Sequence, residues 1–309
     1  MFAYAARRLV VAIPTIFIII TVAFFMMRAA PGNPFDRERP LPPEIRARVL
    51  AEYDLDKPVH IQYASYLGDL VRGDLGPSLT YRDKDVIDIL REGAPVSAVV
   101  GFSSLAVAIL VGSALGIAAA LRQNRPSDFA VMAIALVGIS VPPFVVGPIL
   151  QLVFGLQLDW LPTAGLDRGR ITVDRMILPV TTLALPQIAN ISRLMRASMI
   201  EVIRSNYIRT ARAKGLSEPR VVLGHALRAA APPLVSYLGP AAAALVTGSL
   251  VIEQVFGLPG IGRQFVIGAL QRDYTVVMGV VILYSTLIIL MNLLADLVLA
   301  WLDPKVRDQ

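Results

Sequence analysis

Ser205 to Pro219 reads SNYIRTARAKGLSEP, and it places Arg209, Arg212 and Lys214 within six residues of one another. Basic groups at that spacing on a helix perform no bond-breaking step; they suit docking to a partner surface. Ile208, Ala211 and Ala213 are interleaved with them, so the segment offers apolar contact, close approach and charge together. Other reactive constellations are scarce. GLPGIGR, Gly257 to Arg263, is glycine-rich but lacks the lysine of a phosphate loop, and it reads as a turn between apolar runs. No G-x-x-x-x-G-K-S/T, HExxH or GxSxG occurs, there are 0 cysteines, and the 2 histidines are His60 and His225. Thiol chemistry, disulfides and cysteine metal sites are thereby excluded. The chain reads as non-catalytic, with no metal ligand and no cofactor of its own, and His225 reads as a surface or interface residue.

Four polar residues interrupt apolar stretches. Asn292 and Asp296 lie four apart and share a helical face, while Glu253 and Gln254 come just before the FGLPGIG turn. Ionisable groups at membrane depth are costly and are functional candidates by default. For Asn292 and Asp296 the readings are a hydrophilic stripe along a path or interhelical glue, or for Asp296 a place near the cytoplasmic interface paired with an arginine. For Glu253 and Gln254 they are solute contact at an outer mouth or packing.

The elements that must carry these residues follow from composition. Hydrophobic residues make up 55% of the chain and charged ones 17%, against about 25% charged in a soluble domain. Six apolar stretches approach the ~20 residues a helix needs to cross hydrocarbon: Leu9 to Met27, Val96 to Leu121, Phe129 to Leu156, Met176 to Ile191, Leu234 to Phe256 and Val276 to Leu302. The expected fold class is an all-α polytopic membrane protein of six transmembrane helices. The first stretch also resembles a signal peptide, but its apolar run is long and Arg28 spoils a small-x-small cleavage site, so an uncleaved anchor over 1–29 is expected. Gly112 and Gly116 form a small-xxx-small pair for close helix packing, and Pro142, Pro143 and Pro148 kink or break the third span.

Charge sets the expected orientation. Residues 192–233 carry 8 basic and 2 acidic side chains, whereas residues 30–95 carry 9 basic and 12 acidic ones. By the positive-inside rule the basic loop is cytoplasmic, with both termini, and 30–95 is a periplasmic helical insertion. Ile45, Val49 and Leu50, then Ile61, Ala64, Leu67 and Val71, have helical spacing, and GDLGPS, Gly73 to Ser78, supplies turn residues. The net charge of +6 therefore points to membrane orientation and lipid rather than to nucleic acid. Residues 96–309 form the core of five further helices, with the loop near 192–233.

Within that loop, Tyr207 to Lys214 reads as a short helix opened by Ser205 or Asn206, and Gly215 suits the left-handed closing position. Ser217 can cap a second helix with Pro219 in its first turn, and Leu216 can staple against Val221. Such an elbow exceeds what topology alone requires.

SMIEVIRSNYIRTARAKGL followed by HALRAAAPPL resembles the cytoplasmic "EAA" coupling loop of bacterial ABC importer permeases, in the peptide-importer version. Gly215 stands at the motif's glycine, with Arg209, Thr210 and Ala211 where Glu-Ala-Ala would be. The family's proline comes later, at Pro232 or Pro233. FFMMRAAPGNPF, RERPLPPE, GDLGPS, SYLGP, TGSLVIEQVFGLPGIG, RDYTVVMG and the terminal DPKVR extend the resemblance to the B-type permeases of oligopeptide importers over nearly the whole chain. The resemblance implies the type I ABC importer permease fold in the bacterial inner membrane and a coupling site of Tyr207, Ile208, Arg209, Thr210, Ala211, Arg212, Ala213, Lys214, Gly215 and Leu216. It implies a C-type permease partner, two cytoplasmic ATPase subunits that hold ATP and Mg, a periplasmic or lipid-anchored peptide-binding protein and a peptide substrate. Related permeases serve dipeptides, nickel chelates and other small solutes. A secondary transporter or channel would need a buried ion relay, yet Asp296 is the only clear carboxylate deep in a span, and a structural scaffold leaves the elbow without a purpose.

Overall fold

Two prolines in succession shape the middle of the chain. Val141 precedes Pro142 and Pro142 precedes Pro143, so both are driven into extended backbone, at ψ 119° and 141°. The expected third span is therefore two helices that meet at 103°. The computed structural model describes residues 2–29, 54–81 and 83–302, with isolated positions 44, 47 and 51. Ile45, Val49 and Leu50, expected at helical spacing, and the terminal DPKVR lie outside the described residues.

Among the described residues the regular structure is helical apart from isolated bridges. The helices are α1 (Phe2–Ala29), α2 (Val59–Val71), α3 (Val86–Leu121), α4 (Pro126–Ser140), α5 (Pro143–Leu150), α6 (Val173–Ile203), α7 (Asn206–Ala213), α8 (Glu218–Arg220), α9 (Leu227–Val255), α10 (Ile261–Gln271) and α11 (Tyr274–Leu302). π-helical turns extend α5 over Gln151–Gln157 and join α8 to α9 over Val221–Ala226. Four stretches are long and apolar enough to cross a membrane, Val10–Ala29, Val86–Leu121, Glu218–Val255 and Tyr274–Trp301, and the bent α4–α5 pair makes a fifth if taken as one span. Helix α6, which holds the expected Met176–Ile191 span, is not among them. It carries Thr182, Gln187 and Ser192 and buries all three. A helix enclosed by its neighbours is not held to the apolar composition that lipid demands.

The chain forms two compact units. The first contains residues 2–9, 98–258 and 288–302, with α6 packed against α4, α5 and α9. Its core joins Ala108, Ala184, Ile191, Met195, Met199, Ile208, Val221, Val222 and Ala230. Gly112 and Gly116 let α3 lie directly on the α6 backbone: a Cβ at Gly116 would stand 2.5 Å from the Ser192 carbonyl oxygen, and one at Gly112 2.9 Å from that of Ile188. Close packing by small residues is the role the spacing predicts. Tyr237 of α9 donates to Gln187 of α6 at 2.8 Å, and Ser104 of α3 donates to the Val180 carbonyl at 3.3 Å.

The second unit contains residues 10–97, so far as they are described, and 259–287. Pro95, the expected end of the insertion, lies inside the unbroken helix α3. Ile20 and Phe24 of α1 pack with Tyr63, Tyr66 and Leu67 of α2 and with Met278, and burial pushes the Tyr66 phenol up to about 12. Val86, Ile89 and Leu90 pack with Ile261, Val276 and Val280. Asp273, nearly solvent-free, joins the turn after GDLGPS to the start of α11: it accepts from the Ser78 hydroxyl, the Thr80 N–H at 3.0 Å, the Thr275 hydroxyl at 2.9 Å and the Val276 N–H at 3.2 Å.

Candidate functional site

The elbow is built as the glycine predicts. Gly215 has φ +80°, its N–H bonds the Arg212 carbonyl at 2.9 Å, and the Leu216 N–H reaches back to the Ala211 carbonyl at 3.4 Å. These paired bonds form a Schellman closure, which needs a left-handed residue where only glycine is unstrained. Leu216 then packs on the cluster that contains Ala211 and Val221. The start of α7 differs from expectation. Ser205 stands at the N-cap, but its hydroxyl donates to the Val202 carbonyl at 2.6 Å, and only its backbone carbonyl receives a helix bond, from Arg209 at 3.3 Å. Ser217 likewise caps α8 through its backbone, accepting from Val221 at 3.0 Å, with Pro219 in the first turn.

The faces of α7 also divide differently. Ile208 and Ala211 are buried in the chain's own core with Met195, Met199, Val221 and Val222, so they are not apolar contacts offered to a partner. They hold the elbow on the end of α6 instead. Tyr207, Arg209, Thr210, Arg212, Ala213, Lys214 and Gly215 are exposed, and Leu216 is half-buried. Arg212 folds across the turn onto Glu218, with Nε–Oε1 2.7 Å and Nη2–Oε2 3.2 Å. Glu218 stands in the polar elbow, ahead of the apolar run of α9, and the Arg212 guanidinium holds its carboxyl below the ordinary range. Arg212 therefore braces the corner, and Arg209 and Lys214 are exposed cations on either side of it. His225 is exposed on the following π-helical turn, as expected of a surface residue.

The predicted path residues do not form one cluster in this conformation. Glu253 is fully buried and Gln254 beside it is exposed, so they lie on different faces of α9. The Glu253 carbonyl accepts the Leu258 N–H at 2.8 Å, which closes the end of α9, and nearby Gln151 donates to the Thr163 carbonyl at 2.6 Å and the Val255 carbonyl at 3.3 Å. Asn292 is half-buried, donates to the Ile288 carbonyl at 3.0 Å and lies against Gly239, where an added Cβ would collide with its amide. Asn292 thus touches α9 there by packing, while its amide bonds within its own helix. Asp296, one turn on, is half-buried. No group of three metal-ligating side chains exists among the described residues.

Sequence reasoning misses one enclosed ion pair. Asp128, in the first turn of α4, receives the Arg196 guanidinium of α6 in a bidentate grip, Nε–Oδ1 2.6 Å and Nη2–Oδ2 2.6 Å, and the Asn124 N–H at 2.9 Å. The 68 residues between the partners leave no local signal. The available hint is an acid in an apolar helix after an arginine-rich turn.

Residues 112–308 match the family "Binding-protein-dependent transport system inner membrane component", and residues 1–80 match its companion "Binding-prot-dependent transport system membrane comp, N-term". The chain is 48% identical over 307 residues to the oligopeptide transport system permease protein OppB of Haemophilus influenzae, covering 99% of this chain and 100% of that protein. It is 49% identical over 307 residues to OppB of Escherichia coli K12, with the same coverage. Identity to the dipeptide transport system permease protein DppB of Bacillus subtilis is 40% over 304 residues, 98% of this chain and 97% of that one. Among solved structures, a chain of the MetNI methionine ABC transporter superposes with a TM-score of 0.58 at 18% identity, covering 70% of this chain and 96% of that chain. That likeness establishes the fold.

Proposed function

This chain belongs to the family of binding-protein-dependent transport system inner membrane components, and from that premise we propose that it is the permease subunit of an ATP-driven oligopeptide importer. The observation that carries the reading is similarity along the entire chain to permeases of oligopeptide systems, greater than to the dipeptide permease of Bacillus subtilis. The subunit spans the bacterial inner membrane six times, α6 being the fourth crossing, with both termini in the cytoplasm. It lines a path together with a second permease, receives peptide from a binding protein outside and meets two ATPase subunits inside. ATP and Mg belong to those subunits; this chain supplies motion and a path.

The elbow suits that role because its two halves do different things. Ile208 and Ala211 fix it to the core, while Tyr207, Arg209, Thr210, Ala213 and Lys214 face outward. A push on the exposed face passes through the buried one into α6, and Ser198 of α6 donates to the Ala230 carbonyl of α9 at 2.9 Å, so both helices receive it. Transport then requires only that affinity along the path differ between two states. In that scheme Glu253 and Gln254 stand at the outer mouth, and Asn292 and Asp296 further along α11.

The test is uptake by proteoliposomes containing the importer purified from its native membrane. Oligopeptides should enter in an ATP-dependent manner, and dipeptides alone would move the chain to the neighbouring class. Gly215→Val forces strain at φ +80° and should abolish uptake while insertion persists. Ala213→Cys, the only thiol in a cysteine-free chain, should cross-link to an ATPase subunit. Full uptake by Gly215→Val together with no adduct from Ala213→Cys would remove the elbow from coupling.

A further inference from the structure

Helix α6 reaches the elbow directly, so whatever holds the last turns of α6 decides where a push on the elbow goes. Apolar contact alone resists separation but permits a helix to roll or slide on its neighbour. The end of α6 has more than apolar contact. Arg196 is gripped by Asp128 at both ends of its fork, and the second oxygen of Asp128 also accepts the Asn124 N–H. Eight residues later, roughly 12 Å along the helix, the Arg204 Nη2 donates to the Gln123 Oε1 at 2.9 Å. One bond comes from α6 and the other from the residue that caps it, and they end on the first turn of α4 and on the turn that joins α3 to α4. Asn124 adopts φ +62° within that turn, and the Arg125 N–H bonds the Arg122 carbonyl at 3.0 Å, so the acceptor side is itself folded. Gly112 and Gly116 meanwhile hold α3 in backbone contact with α6 just above.

The geometry points to Asp128 as a positioning residue for coupling: with Arg196 it clamps the α3–α4 hairpin to the elbow end of α6, so that the hairpin moves with the elbow rather than being left behind. This rests on the reading of the elbow as the ATPase contact. A bidentate guanidinium–carboxylate pair fixes direction as well as distance, because the planar fork has one productive orientation. Asp128 is almost wholly buried whereas 25% of the Arg196 side chain is exposed, so the carboxylate is the fixed half and the arginine the arm it holds. Hydrophobic residues of the same size would pack there without fixing the roll of α6.

The experiment uses the full importer in proteoliposomes. Spin labels on Arg122→Cys and Glu201→Cys, two exposed positions in a chain with 0 cysteines, report the distance from the hairpin turn to the end of α6. The expected result is one narrow distance that is unchanged between nucleotide-free and ATP-trapped importer. In the paired variant Asp128→Asn with Arg196→Gln, which keeps net charge and leaves neither partner as an unpaired ion and so guards against misfolding, that distance should broaden, and peptide uptake per ATP hydrolysed should fall several-fold. A distance that shifts between states in the otherwise native chain would overturn the clamp. So would a paired variant with an unchanged distance and unchanged uptake per ATP, or one whose uptake and ATP hydrolysis fall in proportion with the distance still narrow, as a merely structural role predicts. If Gly215→Val keeps full uptake and Ala213→Cys yields no ATPase adduct while the labelled distance behaves as expected, the elbow reading has failed and the mechanical link between hairpin and α6 stands.

Discussion

Asp128 in the first compact unit and Asp273 in the second are both withdrawn from solvent at the start of a helix. The chain satisfies them by different means. Asp128 has a formal counter-ion, Arg196, and one backbone N–H. Asp273 accepts from neutral donors, two hydroxyls and two backbone N–H groups, with the opening turn of α11 adding its dipole. A charge pair joins two rigid helices through long side chains and tolerates no loss of either partner. A ring of short neutral donors fastens a turn to a helix end and spreads the same burden over four groups. The buried carboxylate on α4 is thus held by one charged arm, whereas the one before α11 shares its load between donors of its own helix start and donors of the distant turn at Ser78 and Thr80.

Isosteric replacement separates these arrangements. Asp128→Asn leaves a guanidinium without its counter-ion and turns an amide N–H toward it. Loss of one partner of an enclosed pair costs about 3–5 kcal/mol, and the lower end applies because Arg196 keeps some water. Thermal denaturation of the detergent-solubilised importer should show the largest drop of the series for this variant, and Arg196→Gln added to Asp128→Asn should recover part of it. No recovery would mean that the two side chains are not energetically coupled.

Asp273→Asn removes the charge but keeps one carbonyl oxygen for capping, and its NH2 confronts the Thr80 N–H. Loss of that single bond in an enclosed site costs about 1–3 kcal/mol. The same measurement should give a smaller drop than for Asp128→Asn, and Ser78→Ala should add little on top because the two changes share one network. A drop for Asp273→Asn equal to that of Asp128→Asn would erase the distinction between charge-paired burial and burial among neutral donors.

Much of the fold and of the elbow is legible in the amino-acid sequence. Gly215 announces the left-handed corner, Gly112 and Gly116 announce the close packing of α3, and the Pro142–Pro143 pair announces a broken third span, because each acts through its own backbone. The 103° bend is not legible, since the angle depends on what α4 and α5 pack against. The side of α7 that faces inward is also hidden: Ile208 and Ala211 have the spacing of a docking stripe, and only the packing of Met195, Met199 and Val221 shows that the chain uses that stripe itself. Helix α6 falls below the apolarity of a lipid-facing span because its polar residues are enclosed, which is a property of its neighbours rather than of its own residues. Asp128 and Asp273 escape sequence reasoning for a related reason. Their partners are 68 and up to 195 residues away, and an acid at a helix start is ordinary by itself.

Glu218 is the exposed limit of the same chemistry as Asp128. It too is a carboxylate gripped by an arginine fork, but 60% of its side chain is exposed, so water competes with Arg212 and salt screens the pair. The smallest effect of the series is expected here, and pH gives its sign. The folded carboxyl is held below its ordinary value by the hydrogen bond from Arg212, so the contribution of the pair is complete above the ordinary glutamate range and is lost as pH falls through the lowered value. Amide exchange at Leu216 and Val221, corrected for the intrinsic rate, should be equally protected at about pH 7 and about pH 6 and should weaken only in the acid range below that of an ordinary glutamate. Glu218→Gln should show slightly weaker protection at neutral pH and no further acid loss, and added salt should move the native chain toward that variant. Acid loss that persists unchanged in Glu218→Gln would assign it to another carboxyl. Loss that sets in near neutral pH has the wrong position for a lowered carboxylate. If both outcomes are absent and the expected pattern holds, solvent access alone distinguishes a brace such as Arg212–Glu218 from a clamp such as Arg196–Asp128.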